Sequence, residues 1–353
     1  MNKKIASCFA TLLALSALGG CAFLTARHTA SSAARPDWIE NWSAQYPSAQ
    51  YLAGVGIGYT RSSAEDFARG EIAKIFSAQV NVQESASQME TDRSGGNGES
   101  SSLLTSASQN VRTASHKVLE DSVIAKDWQD PQSGQYYALA ILDRQKASAS
   151  LSQQIGDLDS QIEQQKSGLT QSANKLARAK DAMGIVTDLA KRRELSAELR
   201  VVGQSGESVP APVDAASAQS DAQSALAALN VVVNISGDGS GVVANGLIRG
   251  LNDLGIQARQ GDPSQKSLDI SVTGSVFTSR ENLGDGSPWK RARSEADIQI
   301  MDASDSKIIA AIKPSVREDS RDYQTAVQRS QDSLSQACAE QIKKAVSDYL
   351  AAQ

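Results

Sequence analysis

No proline interrupts the chain between Gln145 and Val202, and along that stretch apolar residues return every three or four positions. Such a segment is helical, because proline breaks helices and a 3.6-residue period lines one helix face with apolar side chains. Leu151, Ile155, Leu158 and Ile162 make one seam, and Leu169, Leu176, Met183 and Val186 follow after Gly168. The spacing is coiled-coil-like, and the stripe is narrow enough to serve one partner helix. Polar Gln165 and Ser172 interrupt the seam around Ser167-Gly168, which favours a hairpin of two helices over one rod. The partner of the first seam is then the stretch after Gly168 or, if the segment stays open, another chain. Everything else must be built before and after this segment.

Before it, ordered structure begins at Pro36-Asp37-Trp38-Ile39. Tyr51 to Gly58 reads as a buried strand with glycines where another backbone comes close. A helix follows, opened by a Ser62/Glu65 capping box and carrying Ala64, Ala68, Ile72, Ile75 and Phe76 at helical spacing. Val80 and Val82 start an alternating stretch that runs into Gly95-Gly96-Asn97-Gly98, and a Ser-rich helical segment comes next. Val118 to Trp128 and Tyr136 to Leu142 are two strands joined as a hairpin at Asp130-Pro131-Gln132-Ser133-Gly134.

After the helical segment, the Gly, Ser and Pro content from Gly203 to Asp214 marks a linker. Beyond it Val231 to Ile235 is a strand, and Val243, Leu247, Leu251 and Leu254 form a helix stripe ended by Gly255. Leu268, Ile270 and Val272 alternate with polar neighbours, as do Ala296, Ile298 and Ile300, and Ile308 to Ile312 completes a hairpin. A long amphipathic helix with Tyr323, Val327, Leu334, Cys338, Ile342, Ala345 and Tyr349 closes the chain. One sheet with helices against it is the economical packing.

The fold class expected is therefore α+β: two small α/β-sheet domains separated by a long helical hairpin and a flexible linker. The boundaries run 1–20 for a signal peptide, 21–35 for a flexible tether, 36–144 for a first α+β domain, 145–202 for the hairpin, 203–225 for the linker and 226–353 for a carboxy-terminal α/β domain. A length of 353 residues suits two modest domains better than one large core.

The first two of those boundaries rest on the leader. Lys3 and Lys4, an apolar run from Ile5 to Leu18, and Leu18-Gly19-Gly20-Cys21 have the three-part form of an export signal. The run is too short for a comfortable bilayer-spanning helix of about 20 residues. The cysteine at the cut resembles the lipobox of bacterial lipoproteins, which implies acylation of the Cys21 thiol, cleavage before Cys21 and acylation of the new amino terminus. Each buried methylene contributes about 0.8 kcal/mol, so one chain binds only marginally and several on one residue hold firmly. Ala22 rather than Asp follows the cysteine, which in enterobacterial lipoproteins implies the outer membrane. Cleavage removes two cations and no acid from a chain already at -5, so attraction to anionic lipid is not what holds it.

The remaining chemistry is sparse. Neither charge sign clusters into long runs among 35 Lys plus Arg and 40 Asp plus Glu, so no nucleic-acid footprint is visible. His28 and His116 are the only histidines, and Cys8, Cys21 and Cys338 are far apart, which excludes nearly all zinc-site patterns and most histidine-based catalytic arrangements. With Cys8 lost in the signal and Cys21 acylated, Cys338 has no intrachain disulfide partner and reads as a small buried hydrophobe. Gly54-Val55-Gly56-Ile57-Gly58 misses the dinucleotide-loop spacing, and Gly237 to Gly241 has no P-loop Lys. Glu281, Asp285, Glu295 and Asp297 are candidates for a carboxylate pair, although charged turn residues are the commoner reading. Lys290-Arg291-Ala292-Arg293 beside Trp289 is the densest basic spot and reads as an exposed strand start. No catalytic, cofactor-binding or metal residue and no small-molecule substrate is assigned.

Pro36-Asp37-Trp38-Ile39, Tyr51-Leu52-Ala53-Gly54-Val55-Gly56, the helix from Ala64 to Gln79, Trp128, and Tyr136 to Arg144 form an ordered set. The set resembles the Lpp-twenty family, named for a membrane-associated lipoprotein, whose domain is similar to the amino-terminal part of flagellar assembly protein T. The resemblance implies a non-enzymatic outer-membrane envelope protein, tied in some members to flagellar structures, and brings no catalytic residue. Residues 226–353 resemble, in order of elements only, the TolB amino-terminal domain, the curli secretion lipoprotein and lipoprotein activators of penicillin-binding proteins. The expected role is a structural or assembly lipoprotein on the periplasmic side of the outer membrane, with envelope proteins or its own copies as partners. The alternative is a regulator that binds a peptidoglycan synthase or glycan through the carboxy-terminal domain.

Overall fold

Asp143 and Asn174 set where the two long helices begin. In the computed structural model, which describes residues 34–93, 121–203, 209–239, 241–265, 267–284 and 287–352, α3 (Arg144–Gln171) and α4 (Lys175–Val202) follow these two caps. The Asp143 carboxylate accepts from the amides of Gln145 and Lys146 at 2.9 and 3.1 Å, and the Asn174 carbonyl from Leu176 and Ala177 at 2.8 and 3.2 Å. Each cap satisfies amides that a helix start leaves without intrahelical partners. Leu151, Ile155, Leu158 and Ile162 are all buried, as are Leu176, Met183 and Val186 across from them. The hairpin thus closes within the chain. Its turn lies at Ser172–Asn174 rather than at Ser167-Gly168: the Asn174 cap starts α4 there, and Gly168 stays inside α3, where an added Cβ would meet Asp181 of α4.

The amino-terminal part starts with α1 (Trp38–Asn41) and a 3-10 turn, Trp42–Ala44. Then come β1 (Tyr51–Gly58), α2 (Arg61–Arg93), β2 (Val123–Gln129) and β3 (Tyr136–Asp143). The strands form an antiparallel sheet in the order β1-β3-β2, with Gly56 opposite Ala138 and Trp128 opposite Tyr137. The helix α2 crosses β1 at Gly54, Gly56 and Gly58, where an added Cβ would strike the backbone of Ala68, Ala64 or Ser63. Close backbone packing accounts for this glycine run. The capping pair is Thr60 with Ser63, each hydroxyl accepting the other's amide at 3.1 Å, while Glu65 answers Arg61 instead of closing a box with Ser62. Val80 and Val82, read as the start of an alternating strand, lie inside α2; Val80 packs at the edge of its core, which a helix reaches without any change of period. The Ser-rich stretch that follows lies outside the described residues.

The carboxy-terminal part contains α5 (Ala215–Ala227), β4 (Val231–Ser236), α6 (Val242–Asn252), β5 (Ala258–Gln260), β6 (Ile270–Glu281), β7 (Lys290–Asp302), β8 (Lys307–Ile312), β9 (Ser315–Ser320) and α7 (Tyr323–Ala351). The sheet order is β5-β4-β6-β7-β8, and β9 also pairs β7. β4 runs parallel to β5 and β6, and the other pairs are antiparallel. The span 203–225, read as linker, includes most of α5. Asp214 caps it by accepting from Ala216, and Ala218, Ala222 and Leu226 bury one face at intervals of four. That face is mostly alanine, so composition alone hid it. β5 and β9 also escaped the sequence reading, one because it is short and the other because only Val316 marks its apolar side.

The long helices belong to two cores at once. Leu151, Ile155, Leu158, Leu195, Leu199 and Val202 pack with the first sheet and α2. Ile162, Leu176, Met183, Val186 and Leu189 pack with α5, α6, α7 and the second sheet. Between these regions Arg192 makes a two-pronged pair with Asp159, at 2.5 and 3.2 Å, and also donates to the Val209 carbonyl at 3.2 Å. Both side chains of the pair are nearly withdrawn from water, where an ion pair persists only if its hydrogen bonds are satisfied.

Candidate functional site

Strand β7 alternates without a break. Ala292, Ser294, Ala296, Ile298 and Ile300 are buried toward α7, so Arg291, Arg293, Glu295, Asp297 and Gln299 point to the opposite face. Register brings matching charges beside them. Arg291 meets Asp319 through two bonds of 2.7 and 2.8 Å, Arg317 meets Glu281 at 3.2 Å, and Lys313 meets Asp297 at 2.7 Å. Arg293 contacts Glu295 and donates to the Ser315 hydroxyl at 3.2 Å. The Arg291 guanidinium, donating to Asp319, holds that carboxyl below the usual range, and the same bond raises Arg291.

Phe277 stands among these charges at 67% exposure. It lines a depression of about 290 Å³ together with Ser275, Glu295, Asp297, Lys313 and Ser315. Each candidate carboxylate that is described, Glu281, Glu295 and Asp297, therefore faces a cation rather than another carboxylate; Asp285 lies outside the described residues. The basic run is the start of β7, but it is half-buried rather than exposed: Arg291 and Arg293 are paired, Lys290 sits 5.7 Å over the Tyr323 ring, and only Trp289 beside it is exposed. Such a face can recognise a polar macromolecular surface through charge and one apolar contact.

The first sheet offers a second, chemically different face. Opposite α2, Trp38 and Ile39 of α1 pack on Ala53, Tyr137, Leu139 and Ile141, with Trp42, Tyr46, Tyr51 and Trp128 half-buried around them. The Trp128 and Tyr137 rings lie 5.4 Å apart, and Tyr46 meets Tyr51 edge to face at 5.4 Å.

Cys21, the residue assigned to lipid attachment, lies outside the described residues, as do His28 and His116. Cys338 is fully buried on α7, and burial, with Asp238 adding like charge, pushes its thiol up to about 12. Such a thiol stays protonated and behaves as a small apolar group. In the loop Gly237–Gly241, Asp238 accepts from the Ala244 amide at 2.8 Å, so a carboxylate already occupies the start of α6 where a phosphate would have to bind. Two features of the helical pair were missed: the Arg192–Asp159 pair, and Glu198, buried on α4 with its carboxyl pushed up to about 7. The only sequence signal for the first was an acid beside the seam residue Leu158. For Glu198 nothing in the sequence distinguished it from a surface acid.

Residues 36–143 match the LPP20 lipoprotein family, in agreement with the resemblance carried by Pro36 to Ile39 and by Tyr136 to Arg144. No curated protein matches the chain in sequence. Among solved structures, a minor lipoprotein of Acinetobacter baumannii is 16% identical, covering 34% of this chain and 92% of its own, with a TM-score of 0.27. A Caulobacter crescentus protein described as a lipoprotein is 22% identical over 37% of this chain and 96% of its own, with a TM-score of 0.26. A secreted protein of Helicobacter pylori is 12% identical over 82% of this chain and 97% of its own, with a TM-score of 0.43.

Proposed function

We propose that this chain is a non-enzymatic lipoprotein of the cell envelope, acylated at Cys21, held on the periplasmic side of the outer membrane, and active through protein–protein contacts. The observation that carries the reading is the order of two independent signals. A lipobox ends at Cys21, and a region matching the LPP20 lipoprotein family begins at residue 36. A structural or assembly role fits the surfaces, because the carboxy-terminal sheet presents paired charges and an exposed ring. Flagellar or secretion assemblies are the partners that the family resemblance suggests, and copies of the chain are another.

A second reading makes the protein a regulator of a peptidoglycan synthase, or a glycan binder, acting through the carboxy-terminal domain. The depression beside Phe277 favours it, since a ring flanked by Asp297, Lys313 and Ser315 is a surface that sugars and polar loops both fit. Crosslinking in intact envelopes followed by affinity purification separates the two readings. Recovery of the chain's own copies or of flagellar components supports the first, and recovery of a peptidoglycan synthase or glycan strands supports the second.

A further inference from the structure

The aromatic face of the first sheet has its own pattern of exposure. In β1, Gly54, Gly56 and Gly58 lie under α2, so Val55 and Ile57 point the other way. Ile57 pairs with Tyr137, and Tyr137 with Trp128, making one row across the three strands; Val123 pairs with Ile141 toward the other end. At the two ends of this face Ile57 is 46% and Val123 56% exposed, and Tyr59, just past β1, is 86% exposed. Three of the chain's four tryptophans, Trp38, Trp42 and Trp128, belong to this cluster, with Tyr46 and Tyr51.

We propose that this face is a second, non-covalent membrane contact, which rests on the headgroup region of the bilayer that the Cys21 lipid enters. The proposal rests on the lipid-anchor reading above. Two arguments select a bilayer as the occupant. The first is where the tether ends: the fifteen residues from Cys21 to Arg35 lead directly into Trp38, the first residue of the cluster. On the tether reading of its composition, a chain of that length spans an end-to-end distance of about 20 Å, so the lipid would hold this face near the surface at high effective concentration. The second is side-chain chemistry. Tryptophan and tyrosine have an apolar body and a polar tip, and they concentrate at membrane interfaces for that reason. Lys126, opposite Leu139, is the one cation that β2 places on this face, while Asp127 turns toward α2 and pairs with Arg61, so the contact is mainly apolar and aromatic.

The test uses the lipidated full-length protein carrying Trp289→Phe, so that every remaining tryptophan reports on this face. It is reconstituted with phosphatidylcholine vesicles whose acyl chains are brominated near the headgroup, and flotation and tryptophan emission are both read. The expected result is that the protein floats with the vesicles and its emission is quenched relative to unbrominated vesicles. Adding Ile57→Asp and Val123→Asp, both at exposed positions, abolishes the quenching while flotation persists; the quenching of the parent protein stands as a test even if that variant does not fold. Flotation without quenching in the parent protein overturns the membrane contact and leaves the anchor intact. Absence of flotation overturns the anchor and the contact together. Unquenched emission with a doubled mass in detergent assigns the face to a second copy and likewise overturns the proposal.

Discussion

Glu198 is the side chain that ties protonation to stability. It lies 4% exposed on α4, among Leu195, Leu199 and Val202, and burial, with Glu194 adding like-charge repulsion, pushes its carboxyl from 4.5 up to about 7. The folded protein therefore keeps a proton that the unfolded chain has lost between those two values. Stability is highest at and below about pH 4.5 on this account, falls as the pH rises toward 7, and levels off above it. The difference is on the order of 3 kcal/mol. Glu198→Gln removes the group that must ionise, so its urea midpoint at pH 8 is expected to exceed that of the parent protein, with the two converging near pH 4.5. Equal midpoints at pH 8 would show that water reaches this carboxyl. Asp181 and Asp188 are raised by burial in the same way, so part of the slope remains in the variant.

Among the elements, the pair α3–α4 decides how the chain is put together. Its seam closes within one molecule, reinforced by the Gln165 amide donating to Asp188 at 2.8 Å and by the Arg192–Asp159 pair. Ile155, with no exposed area, sits where α3 meets the first core. Ile155→Asp places a carboxylate there and is expected to cost about 3–5 kcal/mol, because the position is closed to solvent and Arg192 is already taken by Asp159, one turn along. The loss should be equal at low and high protein concentration, as for any contact made within one chain. Urea unfolding at two concentrations, with the mass followed by analytical ultracentrifugation, checks this. A fall in mass on substitution would mean that the seam joins two chains instead.

At the scale of the whole molecule, the proposed lipid attachment at Cys21 is the premise on which the reading of the protein rests. Cys21→Ser keeps the leader and removes the thiol proposed to take the lipid. The variant is expected to lose labelled fatty acid and to appear in the soluble periplasmic fraction or to persist as uncleaved precursor. Continued lipid labelling would overturn the assignment of Cys21. In the proposed form, several acyl chains on one residue would supply an anchor that the acidic body, with its net charge of -5 before cleavage, does not supply by attraction to anionic headgroups.

Period and punctuation were enough to determine β1, the hairpin β2–β3, the helical pair, β4, α6, β6, β7, β8 and α7, because each carries a local pattern that buries one face. The ordered motifs from Pro36 to Arg144 were enough for the family resemblance, since they record how one small domain packs on itself. What only the tertiary structure decided depends on neighbours distant in sequence. Gly168 reads as a break, yet it lies inside α3, with the Asp181 side chain of α4 seated where a Cβ would be. The alanines of α5 read as linker until α4, with α3 beside it, covers them, and alanine buries so little area alone that no sequence pattern announces it. Arg192 and Asp159 read as surface charges until two helices bring them together, and Phe277 becomes a surface feature only when β9 aligns its charges beside β7. Local periodicity encodes which face of an element is apolar; which element covers that face is a property of the folded chain.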